Sequence, residues 1–231
     1  MIEVLSFDLD GTLVDTGGEI AGAVNDTLRD FALAPRAQAE IEALIGAGTR
    51  ELMRRLLARV DPRQRLHEPA VLRRFEQHYA AHAGGAAQPY PGCVETLRQL
   101  RAADVRLACV TNKEQRHAQR VLDATALAPY FELLVGGDTL AWKKPDARVL
   151  RHVVAALGSR PAHAAHVGDS QTDLAAARNA GVADWAVPWG YNAGTPIAQA
   201  QPTRLFDSFA AIAAAVLAPS AVPVRRAAGL H

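Results

Sequence analysis

The sequence has few of the features that mark secreted, membrane or nucleic-acid-binding proteins. Its two cysteines, Cys93 and Cys109, lack CxxC spacing and fit reduced core thiols better than a disulfide or a zinc site. No apolar run reaches the roughly 20 residues that a membrane span needs. The formal net charge is +1, so neither nucleic acid nor an anionic membrane is expected as a partner.

The composition is that of an ordinary globular protein, with 49% hydrophobic and 21% charged residues. A chain of 231 residues exceeds the commonest domain size of about 100 to 150 residues, so we expect one large core and a smaller second unit. Residues 1–5 enter an apolar segment without a basic region or a cleavage site, and no signal peptide is apparent. We expect a cytoplasmic enzyme, and the sequence leaves homo-oligomerisation open.

Hydrophobic periodicity predicts an α/β fold with a doubly wound, Rossmann-like parallel sheet and an inserted α-helical cap. Segment 2–7 is nearly all apolar or small, as is typical of a parallel strand covered on both faces. Four helical patterns follow without a strand between them, the second around residues 41–45, and they end at a connection rich in Gly, Pro and Ala.

From Cys93 onwards helical and strand patterns alternate, which indicates a parallel sheet. The strands of this part are predicted at 105–111, 131–135, 164–167 and 185–187. The predicted units are a core of residues 1–15 and 84–217, a helical cap of residues 16–83 and a loosely ordered tail of residues 218–231.

Two carboxylates stand two positions apart after the first predicted strand. They are Asp8 and Asp10 of the stretch Phe7-Asp8-Leu9-Asp10-Gly11-Thr12-Leu13. Residues i and i+2 of an extended strand point the same way, so the two acids can converge, and Gly11 then lets the backbone turn sharply. Two acids that share one site demand a cation, because like charges repel.

Residues at the other strand ends complete a candidate site, since ligands of open α/β sheets bind beyond the carboxyl ends of the strands. Asp169 supplies a third carboxylate, and with Asp8 and Asp10 it forms the oxygen-rich set that Mg²⁺ prefers. The Thr111 hydroxyl can bind phosphate oxygens, while Lys144 can neutralise the phosphoryl group and Asp8. These residues predict phosphoryl transfer on a small-molecule phosphate ester, with Mg²⁺ as cofactor.

The set resembles the haloacid dehalogenase-like hydrolase superfamily, whose four motifs are matched in order by Asp8-Leu9-Asp10-Gly11-Thr12, Thr111, Lys144, and Gly168-Asp169 with Asp173. The resemblance implies that Asp8 is a nucleophile that forms an aspartyl-phosphate. It implies that Asp10 protonates the leaving oxygen and then activates water. It also implies metal ligation by Asp8, the Asp10 backbone carbonyl and Asp169, with Asp173 as a supporting or water-mediated partner.

We also expect Thr12 and Asn112 to bind the substrate. Gly11, between Asp10 and Thr12, is expected to support the site through the turn of its loop. The helical insert matches the superfamily's cap, which excludes water and reads the substrate.

Within the superfamily the chain is similar to the bacterial phosphoglycolate phosphatases over roughly residues 3–212, through Ile45-Gly46-Ala47-Gly48, Pro89-Tyr90-Pro91-Gly92, Val110-Thr111-Asn112-Lys113, Gly136-Gly137-Asp138, Lys143-Lys144-Pro145, Val167-Gly168-Asp169-Ser170 and Gly190-Tyr191-Asn192. This similarity implies 2-phosphoglycolate as the first candidate substrate. The chain departs from that family at Ala47, where Asn is common, and at Asp146, where His often follows Lys-Pro. Three alternatives stay open: a phosphosugar mutase, a phosphatase for pyrophosphate, nucleotides or phosphorylated amino sugars, and a non-catalytic phosphoester-binding protein.

Several site residues have a second, purely structural interpretation. Lys143 competes with Lys144 for the basic position, although the family pattern favours the lysine that precedes proline. Thr111 could cap the next helix through its hydroxyl. Asp173 could simply occupy the first turn of its helix, where the dipole favours an acid. Tyr191 either shapes the edge of the site or forms a turn.

Overall fold

The computed structural model describes residues 1–218, and the predicted tail lies outside the described residues except for Ala218. The described strands, in chain order, are β1 (Val4–Phe7), β2 (Val14–Asp15), β3 (Gln88–Pro89), β4 (Arg106–Val110), β5 (Leu133–Val135), β6 (Ala164–Gly168), β7 (Ala183–Ala186) and β8 (Arg204–Leu205). The described helices are α1 (Gly17–Asp30), α2 (Gln38–Glu42), α3 (Thr49–Val60), α4 (Glu68–His82), α5 (Cys93–Ala102), α6 (Gln115–Ala124), α7 (Ala147–Ala156), α8 (Gln171–Ala180) and α9 (Phe209–Leu217).

Six strands form one parallel sheet in the order β5-β4-β1-β6-β7-β8, and this confirms the predicted doubly wound α/β fold. Side chains alternate across the sheet: Leu5 and Phe7 of β1 join an apolar cluster with α5, α6 and α9, whereas Val4 joins a cluster with α7 and α8. Helices therefore cover both faces, which explains why β1 reads as an apolar run.

Helices α1 to α4 lie between β2 and β3 and have a buried apolar cluster of their own. Its largest fully buried members include Met53, Phe75 and Tyr79. The helix predicted around residues 41–45 is short: α2 ends at Glu42, and the chain continues in turns in which Leu44 and Ile45 donate to carbonyls three residues back. We describe α1 to α4 as the helical block.

The periodicity missed three short strands. β2 and β3 pair antiparallel as a two-stranded ribbon where the chain enters and leaves the helical block. β8 adds an edge strand beside β7. Each has two residues, which is too short to show a period of two in the sequence.

The two thiols lie in the core, as expected. Cys93 and Cys109 are both buried and unpaired, and burial raises the pKa of Cys93 to about 12. Among residues 1–218 no helix combines the length and the apolar character that crossing a membrane requires.

Candidate active site

The predicted site residues meet at the carboxyl edge of the sheet. Phe7, the last residue of β1, is in register with Cys109 of β4 and Val167 of β6. Asp8, which follows β1, therefore lies level with the ends of the two neighbouring strands. The loop after β5 brings Lys144 to the same edge, where its ammonium contacts Asp8.

Three buried aspartates form the acidic part of the site. Asp8, Asp169 and Asp173 each offer a carboxylate oxygen, and these oxygens lie within 4.8 Å of one another. Burial raises the pKa of Asp8 to about 8, although the Lys144 ammonium opposes the shift. Burial and the nearby charge of Asp173 raise the pKa of Asp169 to about 7. Ionisation of these buried carboxylates therefore costs free energy, and a bound cation would reduce that cost.

Lys144 lies inside this cluster. Its Nζ is 3.0 Å from Asp8 Oδ1 and 2.6 Å from Asp173 Oδ1, and it donates to the carbonyl oxygen of Val110 at 2.6 Å. Burial disfavours the ammonium, but Asp173 and Asp8 outweigh it and raise the pKa of Lys144. Lys143, by contrast, is exposed and donates to Ala47 O at 3.1 Å, so Lys144 is the lysine that the structure places among the acids.

Asp173 occupies the first turn of its helix, as its structural interpretation expects, and it also contacts Lys144. Its Oδ2 accepts from the backbone N–H of Ser170 at 3.1 Å, which caps α8. Its Oδ1 accepts from Lys144 and lies 3.2 Å from Nε2 of His166. Burial alone would raise the pKa of Asp173, but Lys144 and then His166 lower it below its usual range. Asp173 therefore holds Lys144 against Asp8 while it starts its helix.

Asp10 forms a second acid–base pair, with a lysine to which the sequence assigned no function. Asp10 Oδ1 accepts from Lys113 Nζ at 2.5 Å and from Thr16 Oγ1 at 2.7 Å. Lys113 is 3% exposed, and its ammonium lies 4.9 Å from the ring centroid of Tyr79 in α4. The signal available in the sequence was the Thr111-Asn112-Lys113 tripeptide at the end of β4, which places a third polar residue at the site edge.

The acidic loop surrounds Asp169. The Thr12 hydroxyl is fully buried and donates to Asp169 Oδ1 at 3.0 Å, so it supports the carboxylate in this structure. The backbone N–H of Tyr191 donates to Asp169 Oδ2 at 2.8 Å, which places this tyrosine at the site edge. Gly11 has φ +80°, and a Cβ there would lie 2.5 Å from Asp169 Oδ2. Only glycine fits this approach without displacing the carboxylate.

Replacement of Gly11 by alanine is expected to weaken Mg²⁺ binding about 10- to 100-fold, because the new methyl group pushes Asp169 from its donors. Isothermal titration of the metal-free protein with Mg²⁺ measures this affinity. Gly18, which has open space around its Cβ direction in the first turn of α1, gives the matched control. Gly18→Ala should bind Mg²⁺ as the unchanged protein does; equal affinities for all three proteins would contradict the constraint at Gly11.

Thr111 and Asn112 turn from β4 towards the helical block. The Thr111 hydroxyl accepts from the backbone N–H of Lys113 at 3.2 Å and does not cap α6, whose N-cap is Glu114. The Asn112 amide group donates to Gly46 O at 3.2 Å and also to Lys144 O. Its Oδ1 is buried and has no hydrogen-bond partner among the described residues. An acceptor in that state indicates a position for a ligand or water.

A small cavity of about 30 Å³ lies between the sheet edge and the helical block. Its polar side comes from the sheet edge, and its other side is mostly apolar and comes from α1, α3 and the turn before α3. The lining residues are Asp8, Asp10, Thr111, Asn112 and Lys113 on the first side, and Ile20, Ile45, Gly46, Gly48, Thr49 and Leu52 on the second.

The charges around the site fit a divalent cation. Four aspartates, at positions 8, 10, 169 and 173, are matched by two lysines, at positions 113 and 144, within this hydrogen-bonded group. The formal excess is two negative charges, and carboxylate oxygens are the ligands that Mg²⁺ takes. Burial, and after it the repulsion from neighbouring carboxylates, raises the pKa values of Asp8 and Asp169, and such an ion would oppose both effects. The residues present therefore fit Mg²⁺.

Comparison with known proteins places these observations in a family. A model of the haloacid dehalogenase-like hydrolases matches residues 5–187. Phosphoglycolate phosphatase 1 of Pseudomonas aeruginosa is 40% identical over 209 residues, which cover 89% of this chain and 76% of that protein. Phosphoglycolate phosphatase of Agrobacterium fabrum is 37% identical over 211 residues, with 91% and 90% covered. The crystal structure of a predicted phosphoglycolate phosphatase from Haemophilus somnus superposes with a TM-score of 0.85 at 33% identity, covering 91% of this chain and 96% of that one.

Proposed function

The chain belongs to the haloacid dehalogenase-like hydrolase family, and we propose that it hydrolyses 2-phosphoglycolate to glycolate and phosphate through an aspartyl-phosphate on Asp8. The family resemblance seen in the motifs is confirmed, and the chain is a phosphoglycolate phosphatase-like phosphoric monoester hydrolase. The observation that carries the proposal is the position of Asp8: it lines the cavity, contacts the Lys144 ammonium and shares the cavity with Asp10.

The first half of the reaction uses Asp8 and Asp10. A carboxylate oxygen of Asp8 attacks phosphorus, the bond from phosphorus to the ester oxygen breaks, and Asp10 gives its proton to the leaving oxygen. Lys144 orients Asp8 through the 3.0 Å contact to Oδ1 and offsets the charge that gathers on the phosphoryl oxygens. Thr111 and Asn112, which line the cavity, bind the phosphoryl group or its ester.

The second half returns the enzyme to its starting state. Asp10, now ionised, takes a proton from a water molecule whose oxygen attacks the phosphorus of the aspartyl-phosphate. The bond between phosphorus and Asp8 breaks, and inorganic phosphate leaves. The hydrogen bonds from Thr16 and Lys113 hold the Asp10 carboxylate towards the cavity for both proton transfers.

Mg²⁺ would be held by the side chains of Asp8 and Asp169 and by the backbone carbonyl of Asp10, with Asp173 in support and Gly11 leaving room for Asp169. When bound, the ion supplies positive charge that lets anionic substrate and anionic nucleophile approach each other. Thr12 keeps Asp169 oriented through its hydroxyl, and its proposed contact with substrate stays a prediction.

We propose that residues 16–83 act as a cap over a core made of residues 1–15 and 84–217. Support comes from the separate apolar cluster of α1 to α4 and from the cavity that this block closes against the sheet edge. Such a cap excludes water and selects the substrate. We also propose that the enzyme acts in the cytoplasm on a freely diffusing ester.

A phosphate-release assay over a panel of small esters, with and without Mg²⁺, tests the proposed function. We expect 2-phosphoglycolate to give the highest kcat/KM and EDTA to abolish release reversibly. The panel includes a sugar phosphate, pyrophosphate, a nucleotide and a phosphorylated amino sugar. Isomerised sugar phosphate without released phosphate would identify a mutase, and binding without turnover under any divalent metal would identify a non-catalytic protein.

A further inference from the structure

Lys113 is the one cation among the residues that line the cavity. The other basic residue of the site, Lys144, lies behind Asp8 and is occupied by Asp8, Asp173 and a backbone carbonyl. Lys113 is 3% exposed and reaches the cavity from the end of β4. Any anionic group of a substrate that extends beyond the phosphoryl group therefore meets Lys113 first.

The Lys113 ammonium has donors to spare. It carries three N–H groups, and within the described residues Asp10 is its one hydrogen-bond acceptor. The ring of Tyr79, 4.9 Å away, supports the positive charge without using a hydrogen bond. The Tyr79 hydroxyl in turn donates to the buried Glu19 at 3.3 Å, which fixes the ring. A buried ammonium with unused donors beside a cavity is prepared for an anionic ligand.

The position of Lys113 also limits where that anionic group can be. Asp10 protonates the ester oxygen in the proposed reaction, and Lys113 bonds to this same carboxylate. The ammonium therefore lies about one carboxylate's width from the ester oxygen. A carboxylate bonded directly to the ester carbon reaches it, whereas a group further along the substrate would meet the apolar wall of Ile20, Ile45 and Leu52.

We propose that Lys113 is the residue that determines specificity by binding the substrate's carboxylate, and that the substrate class is phosphate monoesters of 2-hydroxycarboxylates. This inference rests on the proposed function and assigns the residue that recognises the substrate's carboxylate. Lys113 gives its free N–H donors to the carboxylate while it keeps its bond to Asp10. A second phosphoryl group, with about twice the charge, would meet one ammonium and an apolar wall, so we expect bisphosphates to be poorer substrates than 2-phosphoglycolate.

The test compares two esters of similar shape in the same enzyme. They are 2-phosphoglycolate and isobutyl phosphate, whose isopropyl group replaces the carboxylate without charge. For Lys113→Met we expect kcat/KM for 2-phosphoglycolate to fall about 30-fold or more, mainly through KM, because one partner of a desolvated charge pair is lost. The value for isobutyl phosphate should fall less, only by the share that comes from the lost hydrogen bond to Asp10, and the activity that remains on this ester shows that the variant is folded.

Lys143→Met is the matched control, since Lys143 is exposed and outside the cavity lining. Lys143→Met should have the same ratio of kcat/KM values for the two esters as the unchanged enzyme. Equal losses on both esters in Lys113→Met would show that Lys113 acts only through Asp10, and that result would overturn the proposal. So would an unchanged enzyme that hydrolyses the two esters equally well.

Calorimetric titration in an Asp8→Asn background separates this inference from the proposed function. Here 2-phosphoglycolate should bind at least about 30-fold more weakly when Lys113→Met is added, and isobutyl phosphate equally in both proteins. Phosphate release with an unchanged ester ratio would refute the inference alone. Absence of release from every ester, together with carboxylate-dependent binding, would refute the hydrolase and leave the assignment of Lys113 standing.

Discussion

Phosphate release from 2-phosphoglycolate is expected to fall by at least about 10⁴-fold when Asp8 is replaced by asparagine, the scale on which removal of a covalent nucleophile acts. The carboxamide is nearly isosteric with the carboxylate, so the cavity and the contact with Lys144 keep their shape. What is lost is the anionic oxygen that attacks phosphorus. A coupled assay for inorganic phosphate with excess Mg²⁺ measures the change.

Asp123→Asn provides the control for Asp8→Asn, because Asp123 lies exposed near the end of α6 and its side chain bonds only to Gln119 in the described structure. It should hydrolyse the ester at the rate of the unchanged enzyme. Rapid acid quench of the unchanged enzyme with labelled ester should trap phosphate on the protein, and Asp8→Asn should trap none. Full activity in Asp8→Asn would falsify the nucleophile assignment.

Asp8→Asn should also change how the stability of the metal-free protein depends on pH. Burial raises the pKa of Asp8 from 3.8 to about 8, and that of Asp169 to about 7. A raised folded-state pKa contributes stability that is complete below about pH 4 and is lost as pH rises through the folded value. Asp173 has a lowered pKa and Lys144 a raised one, and both of these contributions change outside the range of about pH 4 to 8.

In EDTA, the free energy of unfolding of the unchanged protein should therefore decrease between about pH 5 and pH 8. Asp8→Asn cannot ionise at position 8, so its decrease should be smaller and should come mainly from Asp169. Denaturant unfolding at the two pH values measures both slopes. Identical slopes for the two proteins would show that Asp8 does not carry the charge that burial disfavours.

The parts of the site that the sequence predicted are those that depend on the sheet alone. Asp8, Thr111, Lys144 and Asp169 follow parallel strands or the loop after one, and parallel strands in register end at one edge. Their meeting point was therefore available before any side-chain contact was known. Periodicity alone does not choose between Lys144 and Lys143, because adjacent residues of a loop point in directions that no period fixes; the family pattern favoured Lys144, and the structure places this lysine among the acids.

The parts that the sequence did not predict depend on how the helical block meets the core. Lys113 is held between Asp10 at the sheet edge and the Tyr79 ring of α4, and no local pattern brings these three residues together. Thr12 illustrates a second limit: its motif position indicated a substrate contact, while its hydroxyl donates to Asp169. The rotamer of a buried hydroxyl is set by the hydrogen-bond acceptors near it, and here the acceptor, Asp169, comes from a segment that is distant in sequence.

Replacement of Lys144 by methionine is expected to lower the free energy of unfolding of the metal-free protein by about 3–5 kcal/mol, the cost of leaving buried charges without their partner. Lys144 contacts Asp8 and Asp173, and its loss leaves three carboxylates within 4.8 Å of one another without an ammonium. Phosphate release should also fall by at least about 10³-fold, since Asp8 and the phosphoryl group lose their positive neighbour. Denaturant unfolding and the phosphate assay measure the two effects.

Lys143→Met is the matched control, because the neighbouring lysine is exposed and donates only to a backbone carbonyl of the helical block. It should lose less than about 1 kcal/mol, as exposed polar contacts contribute little. Mg²⁺ should stabilise Lys144→Met more than it stabilises the unchanged protein, because the ion binds carboxylates that have lost their other cation. Activity should nevertheless stay low, since no ion replaces the hydrogen bond to Asp8 Oδ1. Equal stability and activity of the two lysine variants would show that Lys144 has no function in the site. Stability that Mg²⁺ restores without restoring activity would show that Lys144 contributes to catalysis through its contact with Asp8 as well as through its charge.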